Sequence, residues 1–294
     1  MMPALDETRL RGEMRYLEPL SRHTTWRVGG PAERYRADLI TFLQQLDVQE
    51  PLFWLGLGSN LLVRDGGVKG TVIATQGCLE QIEWRGDRLV AEAGVSCAKI
   101  ARTAARAGRV GVEFFAGIPG TLGGALAMNA GAFGGETWNQ VQEVETIDRY
   151  GVVRRRPMTD FDIGYRQVLG QPGEWFLAAE LNLETGDSAA AQTRIKALLD
   201  RRAATQPTRL PSCGSVFRNP PDDHAARLIE AAGLKGRRLG GAQVSEKHAN
   251  FIVNIDNASA ADIEALIALV QQQVERRSGV RLVTEVHRIG DSLE

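Results

Sequence analysis

The sequence predicts an α+β fold that is not of the Rossmann type. Short turns at residues 86–87 and 150–151 each separate two extended segments, as in β-hairpins. Residues 97–108 and 259–279 have apolar side chains at helical spacing. A glycine-rich segment at residues 117–135 contains neither the GxGxxG pattern nor the GK[ST] of a phosphate loop. Strand pairs and helices without a nucleotide fingerprint favour an α+β fold.

The same patterns predict the remaining elements. Residues 1–20 are predicted only to be a polar segment that precedes the first element. Ser259 is the expected N-cap of the last helix, and Gly108, Gly233 and Gly279 are expected at helix ends. Helices are predicted at residues 39–46, 97–108, 188–206, 224–233 and 259–279. Strands are predicted at residues 32–36, 68–94, 141–157, 174–184, 249–256 and 280–290, and residues 52–63 are predicted as a buried strand that opens into a glycine loop.

The charge balance argues against a nucleic-acid or membrane partner. The chain has 294 residues with 35 basic and 36 acidic side chains, a formal net charge of −1. It therefore lacks the broad positive field by which proteins bind nucleic acids or anionic membranes. Glycine is in excess: it makes up 32 of the 294 residues, or about 11%, whereas an average protein has roughly 7% glycine. We expect a small-molecule partner, bound where the glycines cluster.

Three cysteines, Cys78, Cys97 and Cys213, are widely spaced and form no CxxC pattern. This spacing argues against a disulfide framework and a zinc site, and no metal site is predicted. The N-terminus is charged and has no apolar signal region, and no apolar stretch approaches the roughly 18–20 residues of a membrane helix. We therefore expect a cytoplasmic protein.

The segment GIPGTLGGALAMNAGAFGG, residues 117–135, contains seven glycines and one aromatic residue. Glycine exposes the main chain and permits positive-φ turns whose N–H groups bind anions, so a pyrophosphate is the expected guest. A small-residue helix packed tightly on a sheet is the alternative. GLGSNLLV, residues 56–63, is a second loop of this kind. HTTWRVGGPAERY, residues 23–35, is either a binding motif or a plain structural turn.

Together these segments resemble the UDP-N-acetylenolpyruvoylglucosamine reductase family. The other family motifs follow in order: GYR at 164–166, SCGSVFRNP at 212–220, GGAQVSEKHANFIVN at 240–254 and TEVHRIG at 284–290. The resemblance covers residues 21–290. It implies an FAD-binding domain of the vanillyl-alcohol-oxidase type at 21–187, with subdomains at about 21–73 and 74–187, and an α+β substrate domain at 205–294.

The resemblance also implies a reaction. Members of the family use NADPH and non-covalently bound FAD to reduce UDP-N-acetylglucosamine enolpyruvate to UDP-N-acetylmuramate, a precursor of peptidoglycan. Hydride addition to the enol ether builds negative charge at the carboxylate, so the site needs a cation, hydrogen-bond donors and an acid. By resemblance, Arg166 and Glu285 flank the carboxylate and Ser215 delivers the proton. The partners expected are the UDP-sugar and NADPH, with no obligatory protein partner.

Further site residues are implied by position in the motifs. The predicted substrate-binding residues are Tyr165, Arg218, Asn219, Lys247 and His248. The predicted cofactor-binding residues are Gly56, Gly58, Ser59, Asn60, Gly117, Ile118, Pro119, Gly120, Thr121, Gly123, Gly124, Asn129, Gly131 and Ala132.

From the residues alone, other interpretations of the catalytic and substrate-side residues stay open. Ser215 is otherwise a turn hydroxyl or a helix cap, and Arg166 a surface arginine. On a strand at 280–290 both faces carry apolar residues, so the Glu285 carboxylate is expected to be partly buried, with a half-exposed rim position as the alternative. His248 is otherwise an ordinary core or surface histidine.

Two features depart from or refine the family pattern. Gln167, Val168, Leu169 and Gly170 follow the GYR motif, where family members usually carry a serine and an aromatic residue. Only 48 residues separate Arg166 from Ser215, which resembles the shorter subtype without the tyrosine-bearing lid insertion. Two rival functions remain: a sugar or alcohol oxidase of the same flavoprotein fold, and a nucleotide-sugar-binding regulator without turnover.

Overall fold

A computed structural model describes residues 14–36, 40–44 and 46–293. By its internal contacts the chain divides into two compact units. The first unit comprises Met1–Tyr16, Arg34–Leu57 and Gly70–Asp200. The second unit comprises Leu17–Glu33, Gly58–Lys69 and Arg201–Glu294. Both units mix strands and helices, as the α+β prediction requires.

Most predicted elements are present among the described residues. The α-helices are α1 (Ile40–Leu43), α2 (Cys97–Arg106), α3 (Leu122–Met128), α4 (Ser188–Thr205), α5 (Ala225–Ala231) and α6 (Ala260–Ser278). The strands are β1 (Met14–Pro19), β2 (Pro31–Arg36), β3 (Leu52–Leu55), β4 (Leu61–Val63), β5 (Val68–Ala74), β6 (Ile82–Arg85), β7 (Arg88–Glu92), β8 (Arg109–Val110), β9 (Gly131–Ala132), β10 (Gly135–Glu136), β11 (Val141–Asp148), β12 (Val153–Pro157), β13 (Asp162–Gly164), β14 (Gln167–Leu169), β15 (Glu174–Leu181), β16 (Glu184–Thr185), β17 (Arg238–Leu239), β18 (Ala242–Val244), β19 (Ile252–Asn254) and β20 (His287–Ile289).

The first unit is built on an antiparallel sheet of order β12-β11-β15-β7-β6. Both predicted hairpins, β6–β7 and β11–β12, lie in this sheet. One face is covered by α2 and α3, whose apolar side chains join a core with Leu89, Trp138 and Leu181. Strand β3 pairs in parallel with β5, with Leu52 opposite Thr71. The burial of these helix faces explains why short, alanine-rich helices are stable here.

The second unit has a core between an antiparallel sheet of order β17-β18-β19 and helices α5 and α6. Ser259 is the N-cap of α6, as predicted, and forms a capping box with Asp262. Gly279 ends the helix at φ +71°, also as predicted. Strand β20 pairs in parallel with β4, so that His287 lies opposite Leu61.

Three of the predicted segments differ from their expected structure. The helix expected at 39–46 is only α1, and among residues 1–20 Met14–Pro19 form a strand, while residues 1–13 lie outside the described part. The strand expected at 280–290 is reduced to β20 and one isolated bridge between Phe217 and Thr284. Before β20 the chain pairs briefly with residues 216–218, and then it changes partner to β4. A continuous ladder cannot form across that change.

Within the described residues, no helix combines the length and the hydropathy needed to cross a bilayer. The cysteines are free thiols, and Cys97 and Cys213 are buried. Burial raises the pKa of Cys97 to about 12, so this thiol is unreactive near neutral pH.

Candidate functional site

The glycine-rich segment of the first unit contains a helix at its centre. Helix α3 occupies residues 122–128, with Thr121 as N-cap and Asn129 as a left-handed C-cap at φ +44°. The expectation of bare main chain along the whole segment is therefore wrong for these seven residues, where the alternative of a tightly packed small-residue helix holds. The loop interpretation applies to residues 117–121 and 129–135.

Close packing explains most of the glycines. A Cβ atom at Gly123 would lie 3.0 Å from the Ala93 Cβ, and the Gly123 N–H donates to the Ala93 carbonyl at 2.8 Å. A Cβ at Gly117 would lie 2.6 Å from the Phe133 ring. Of the seven glycines only Gly134 has a positive φ, at +88°, where it shares the tight β9–β10 turn with Phe133. The expected series of positive-φ glycine turns is therefore absent from residues 117–135.

Thr121 and Gly56 form the part of the first unit that fits a nucleotide cofactor. A Cβ at Gly56 would lie only 2.4 Å from the Thr121 Oγ1. Among the described residues this buried hydroxyl has no hydrogen-bond partner. Buried polar atoms are nearly always paired, so an orphaned hydroxyl beside an obligatory glycine indicates a missing ligand atom. A phosphate oxygen, which accepts hydrogen bonds, suits it.

Residues 117–120 form a tight turn before this hydroxyl. The Gly120 N–H donates to the Ile118 carbonyl, and the Gly120 carbonyl accepts from the Cys97 N–H at the start of α2. Pro119 lies within the turn, and Ala132 lies after it in β9. The structure thus gathers the predicted cofactor-binding residues of the first unit around the two ends of α3.

Tyr165 and Arg166 lie at the tip of the β13–β14 hairpin of the first unit. The Arg166 main chain is left-handed, at φ +55°, an unfavourable conformation for arginine that is often found at functional sites. Its guanidinium donates to the Gly131 carbonyl at 2.8 Å and to the Asn129 carbonyl at 3.4 Å. It also lies 5.3 Å from the centre of the exposed Tyr165 ring. Arg166 is thus half-buried and held, unlike an ordinary surface arginine.

In the second unit, the serine motif lies alongside the glutamate motif. The Glu285 N–H donates to the Val216 carbonyl at 2.8 Å, and the Arg218 N–H donates to the Val283 carbonyl at 2.9 Å. This pairing brings Ser215 and Glu285 to neighbouring positions of two adjacent chain segments. Both residues have intermediate exposure, and Cys213 and Val216 on either side of Ser215 are buried.

Asn250 holds the serine segment and was not predicted as a site residue. Its Oδ1 accepts from the Phe217 N–H at 3.0 Å, and its Nδ2 donates to the Phe217 carbonyl at 2.8 Å. The Asn250 carbonyl accepts from the Val216 N–H at 2.9 Å. Asn250 is buried. The sequence offers one signal for it, a polar residue amid the apolar run of the ANFIVN segment.

The GLGSN loop contributes Gly58, Ser59 and Asn60 to the second unit. A Cβ at Gly58 would lie 2.2 Å from the His23 carbonyl oxygen, and its φ is +62°, so the turn requires glycine. Asn60 donates from Nδ2 to the Glu285 carbonyl at 3.0 Å, and its own carbonyl accepts from the His287 N–H at 3.1 Å. A predicted cofactor loop is thereby tied to a predicted catalytic residue.

The other predicted substrate residues have structural contacts as well. The Asn219 Oδ1 accepts from the Ala225 N–H at the start of α5, at 3.1 Å. The Lys247 ammonium donates to the Ala203 carbonyl. Burial, together with the charge of Lys235, lowers the pKa of His248, so its ring is neutral at pH 7. His248 packs edge-on against Phe251 at 4.8 Å.

The predicted site residues thus fall into one group in each unit. The first group comprises Gly56, the residues around α3, Tyr165 and Arg166. The second comprises Gly58, Ser59, Asn60, Ser215, Arg218, Asn219, Lys247, His248 and Glu285.

Comparisons with known proteins cover almost the whole chain. Residues 206–289 match the family described as UDP-N-acetylenolpyruvoylglucosamine reductase, C-terminal domain, and residues 36–156 match an FAD binding domain. The chain is 64% identical over 286 residues to the UDP-N-acetylenolpyruvoylglucosamine reductase of Alkalilimnicola ehrlichii, with 96% of each chain covered. It is 61% identical to that of Methylococcus capsulatus, over 96% of this chain and 95% of the relative. The crystal structure of UDP-N-acetylenolpyruvylglucosamine reductase from Thermus caldophilus superposes with a TM-score of 0.83, at 34% identity, covering 95% of this chain and 98% of that chain.

Proposed function

Because the chain belongs to the UDP-N-acetylenolpyruvoylglucosamine reductase family, we propose that Ser215, Arg166 and Glu285 are its catalytic residues. The predicted family, the α+β fold with an FAD-binding domain and the flavoenzyme activity are confirmed. The chain is an FAD-dependent oxidoreductase that uses NADPH to reduce UDP-N-acetylglucosamine enolpyruvate to UDP-N-acetylmuramate for peptidoglycan synthesis. The comparisons support this reductase function and not the rival oxidase.

FAD, when bound, supplies the hydride that it has received from NADPH. We propose that the residues around Gly56 and Thr121 in the first unit bind its phosphates, and Gly58, Ser59 and Asn60 stay predicted cofactor-binding residues. The unpartnered Thr121 hydroxyl supports this assignment, because it can donate to a phosphate oxygen. Gly56 supports it too, since any side chain there would collide with that hydroxyl.

Ser215 is the proposed proton donor. Reduction of an enol ether adds a hydride to the terminal carbon and a proton to the carbon that bears the carboxylate. A serine hydroxyl releases its proton only to a strong base, and an enolate-like carbanion is one. The buried side chains of Cys213 and Val216 anchor the chain on either side of Ser215, while Ser215 itself keeps access to solvent. This placement supports a Ser215 hydroxyl that is held in position, in contrast to the mobile hydroxyl of an ordinary surface serine.

Arg166 and Glu285 are assigned to the substrate carboxylate. Negative charge builds up there, and a fixed guanidinium can stabilise it without reorganising. The carbonyl contacts of Arg166 support such a fixed position. Glu285 has intermediate exposure and a main chain bonded on both sides, through Val216 and Asn60. Tyr165, Arg218, Asn219, Lys247 and His248 remain the proposed substrate-binding residues.

The remaining assignments are also proposals. We retain the FAD-binding domain at 21–187, with its two subdomains, and the substrate domain at 205–294. The free cysteines support a reducing compartment, so we propose the cytoplasm. The shorter subtype without a lid insertion and the lack of an obligatory protein partner stay predictions.

The observation that carries the proposal is 64% identity over 96% of the chain to a reductase of this family. Stopped-flow measurement of the two half-reactions tests it. Ser215→Ala should slow substrate-dependent oxidation of the reduced flavin by roughly 10²- to 10⁴-fold, about 3–5.5 kcal/mol, and leave reduction by NADPH nearly normal. Ser212→Ala, three residues away in the same segment, is the control. If Ser215→Ala slows both half-reactions equally, Ser215 serves folding or flavin binding instead.

A further inference from the structure

Asn129, predicted only as a cofactor-binding residue, has its side chain engaged by protein atoms. Its Nδ2 donates to the Gly164 carbonyl at 3.2 Å and to the Glu136 Oε2 at 3.0 Å. Its Oδ1 accepts from the Trp138 N–H at 3.2 Å. Asn129 is 1% exposed. The amide has two N–H donors, and both have protein acceptors. The side chain therefore holds the protein groups around it in place.

Those surroundings are the supports of Arg166. Gly164, whose carbonyl Asn129 holds, precedes Arg166 by two residues in the β13–β14 hairpin. The Asn129 carbonyl itself accepts from the Arg166 guanidinium. One residue therefore contacts both the main chain just before Arg166 and the charged end of its side chain.

Two further contacts make this arrangement rigid. Trp138, which donates to Asn129, is buried and packs on Phe161 at 4.7 Å between ring centres, at the entry to the hairpin. Trp138 also donates from Nε1 to the Leu126 carbonyl of α3, at 2.8 Å. The left-handed conformation of Arg166 is unfavourable by itself, and such conformations persist only where the surroundings over-determine them. Asn129 and Trp138 contribute to this constraint, together with the β13–β14 pairing on either side of Arg166.

We propose that Asn129 is a positioning residue for Arg166, which fixes the direction of the guanidinium through the Gly164 carbonyl and through its own carbonyl. This inference rests on the proposed function, because it requires Arg166 to act on the substrate. In this proposal the Asn129 side chain touches neither the reacting atoms nor the cofactor, and the positioning role replaces its predicted cofactor-binding role. It determines where the positive charge is held when negative charge builds up on the substrate.

The test is a double-mutant cycle on the FAD-loaded enzyme, with the two half-reactions measured separately. Asn129→Ala should slow substrate-dependent oxidation of the reduced flavin by about 10- to 100-fold, because a small displacement of a catalytic group has effects of this size. The FAD content and the rate of reduction by NADPH should change less than about twofold. In an Arg166→Ala background, adding Asn129→Ala should change the substrate half-reaction by less than about twofold, since groups that act as one unit are not additive.

Asn139→Ala, at an exposed asparagine ten residues further on, is the matched control and should behave as wild type. Asn129→Gly removes the side-chain donor and acceptor and suits the left-handed main chain, at φ +44°. It should show the same non-additive loss even if Asn129→Ala fails to fold. Multiplicative effects of the two substitutions, or loss of FAD without a slower substrate half-reaction, would overturn the inference and leave the proposed function intact. An Arg166→Ala enzyme with a normal substrate half-reaction would overturn both.

Discussion

The side chain of Asn60 donates from Nδ2 to the main-chain carbonyl oxygen of Glu285, at 3.0 Å. Asn60 follows the glycine turn of the GLGSN loop, and Glu285 belongs to the last sequence motif, 225 residues further along the chain. The bond joins a segment proposed to hold cofactor phosphate to one proposed to act on substrate. A substitution of Asn60 should therefore affect the rate of substrate reduction as well as the binding of the cofactor.

We expect Asn60→Ala to lower the free energy of unfolding by about 1 kcal/mol, the net value of one neutral hydrogen bond. It should also slow the substrate half-reaction, because the main chain at Glu285 loses a support. Asn60→Asp should behave alike, since an ionised carboxylate cannot donate to the carbonyl. Urea denaturation and stopped-flow kinetics measure both effects. Weak FAD binding with normal substrate reduction would show that Asn60 serves the cofactor alone.

Glu285→Gln tests the carboxylate itself. The amide has nearly the same shape and leaves the Asn60 bond intact, because that bond is to the main chain. If the carboxyl group acts as an acid, which gives a proton to the substrate carboxylate as negative charge develops there, the amide cannot replace it because an amide N–H does not release its proton. The substrate half-reaction should then slow by roughly 10²-fold, with unchanged reduction by NADPH. Single-turnover kinetics with pre-reduced enzyme measure the rate. Unimpaired substrate reduction would require the role of Glu285 to be withdrawn.

Asn250→Ala should destabilise the second unit and displace Ser215. The substitution leaves the buried N–H and carbonyl of Phe217 without their side-chain partner. Each unsatisfied buried group costs about 1–3 kcal/mol, so we expect the free energy of unfolding to fall by about 2–6 kcal/mol for the two groups together. Chemical denaturation measures this, with the exposed Asn182→Ala as control. Equal stability of the two variants would contradict the role assigned to Asn250.

Glu174 should contribute a pH-dependent part of the stability of the first unit. Its Oε1 accepts from the Arg156 Nη2 at 2.6 Å, and its Oε2 accepts from the Thr146 hydroxyl at 2.6 Å. The hydrogen bond from Arg156, supported by Thr146 and opposed by burial, lowers the pKa of Glu174 from its ordinary 4.5. A carboxyl whose pKa is lower in the folded state stabilises the protein above the unfolded value, and the effect is lost as pH falls through the folded value.

The difference in unfolding free energy between wild type and Glu174→Gln should therefore be largest near neutral pH and should shrink on acidification below about pH 4.5. Urea denaturation at a series of pH values measures it. Glu184→Gln, at an exposed carboxylate, should follow the wild type throughout. A difference that stays constant down to pH 3 would show that the effect of Glu174 is not that of its charge.

Local patterns in the sequence determined the elements whose signals are local. The boundaries of α6 follow from the Ser259 cap and Gly279, because both act on neighbouring backbone groups. The β6–β7 and β11–β12 hairpins follow from turns between extended segments. The ordered motifs, read as a resemblance, also determined the family and its cofactor, because each motif is a contiguous string of residues.

Tertiary structure alone decided what depends on distant partners. Helix α3 forms inside a glycine-rich segment because Gly123 packs against Ala93. The chain before β20 is not a continuous strand because it changes partner from residues 216–218 to β4. Asn129 holds a proposed catalytic segment through a residue that lies 35 positions away in the sequence, and Asn250 holds another through a residue 33 positions away. Such contacts leave no periodic trace in the sequence, because they depend on how separate segments fold together and not on the spacing within any one of them.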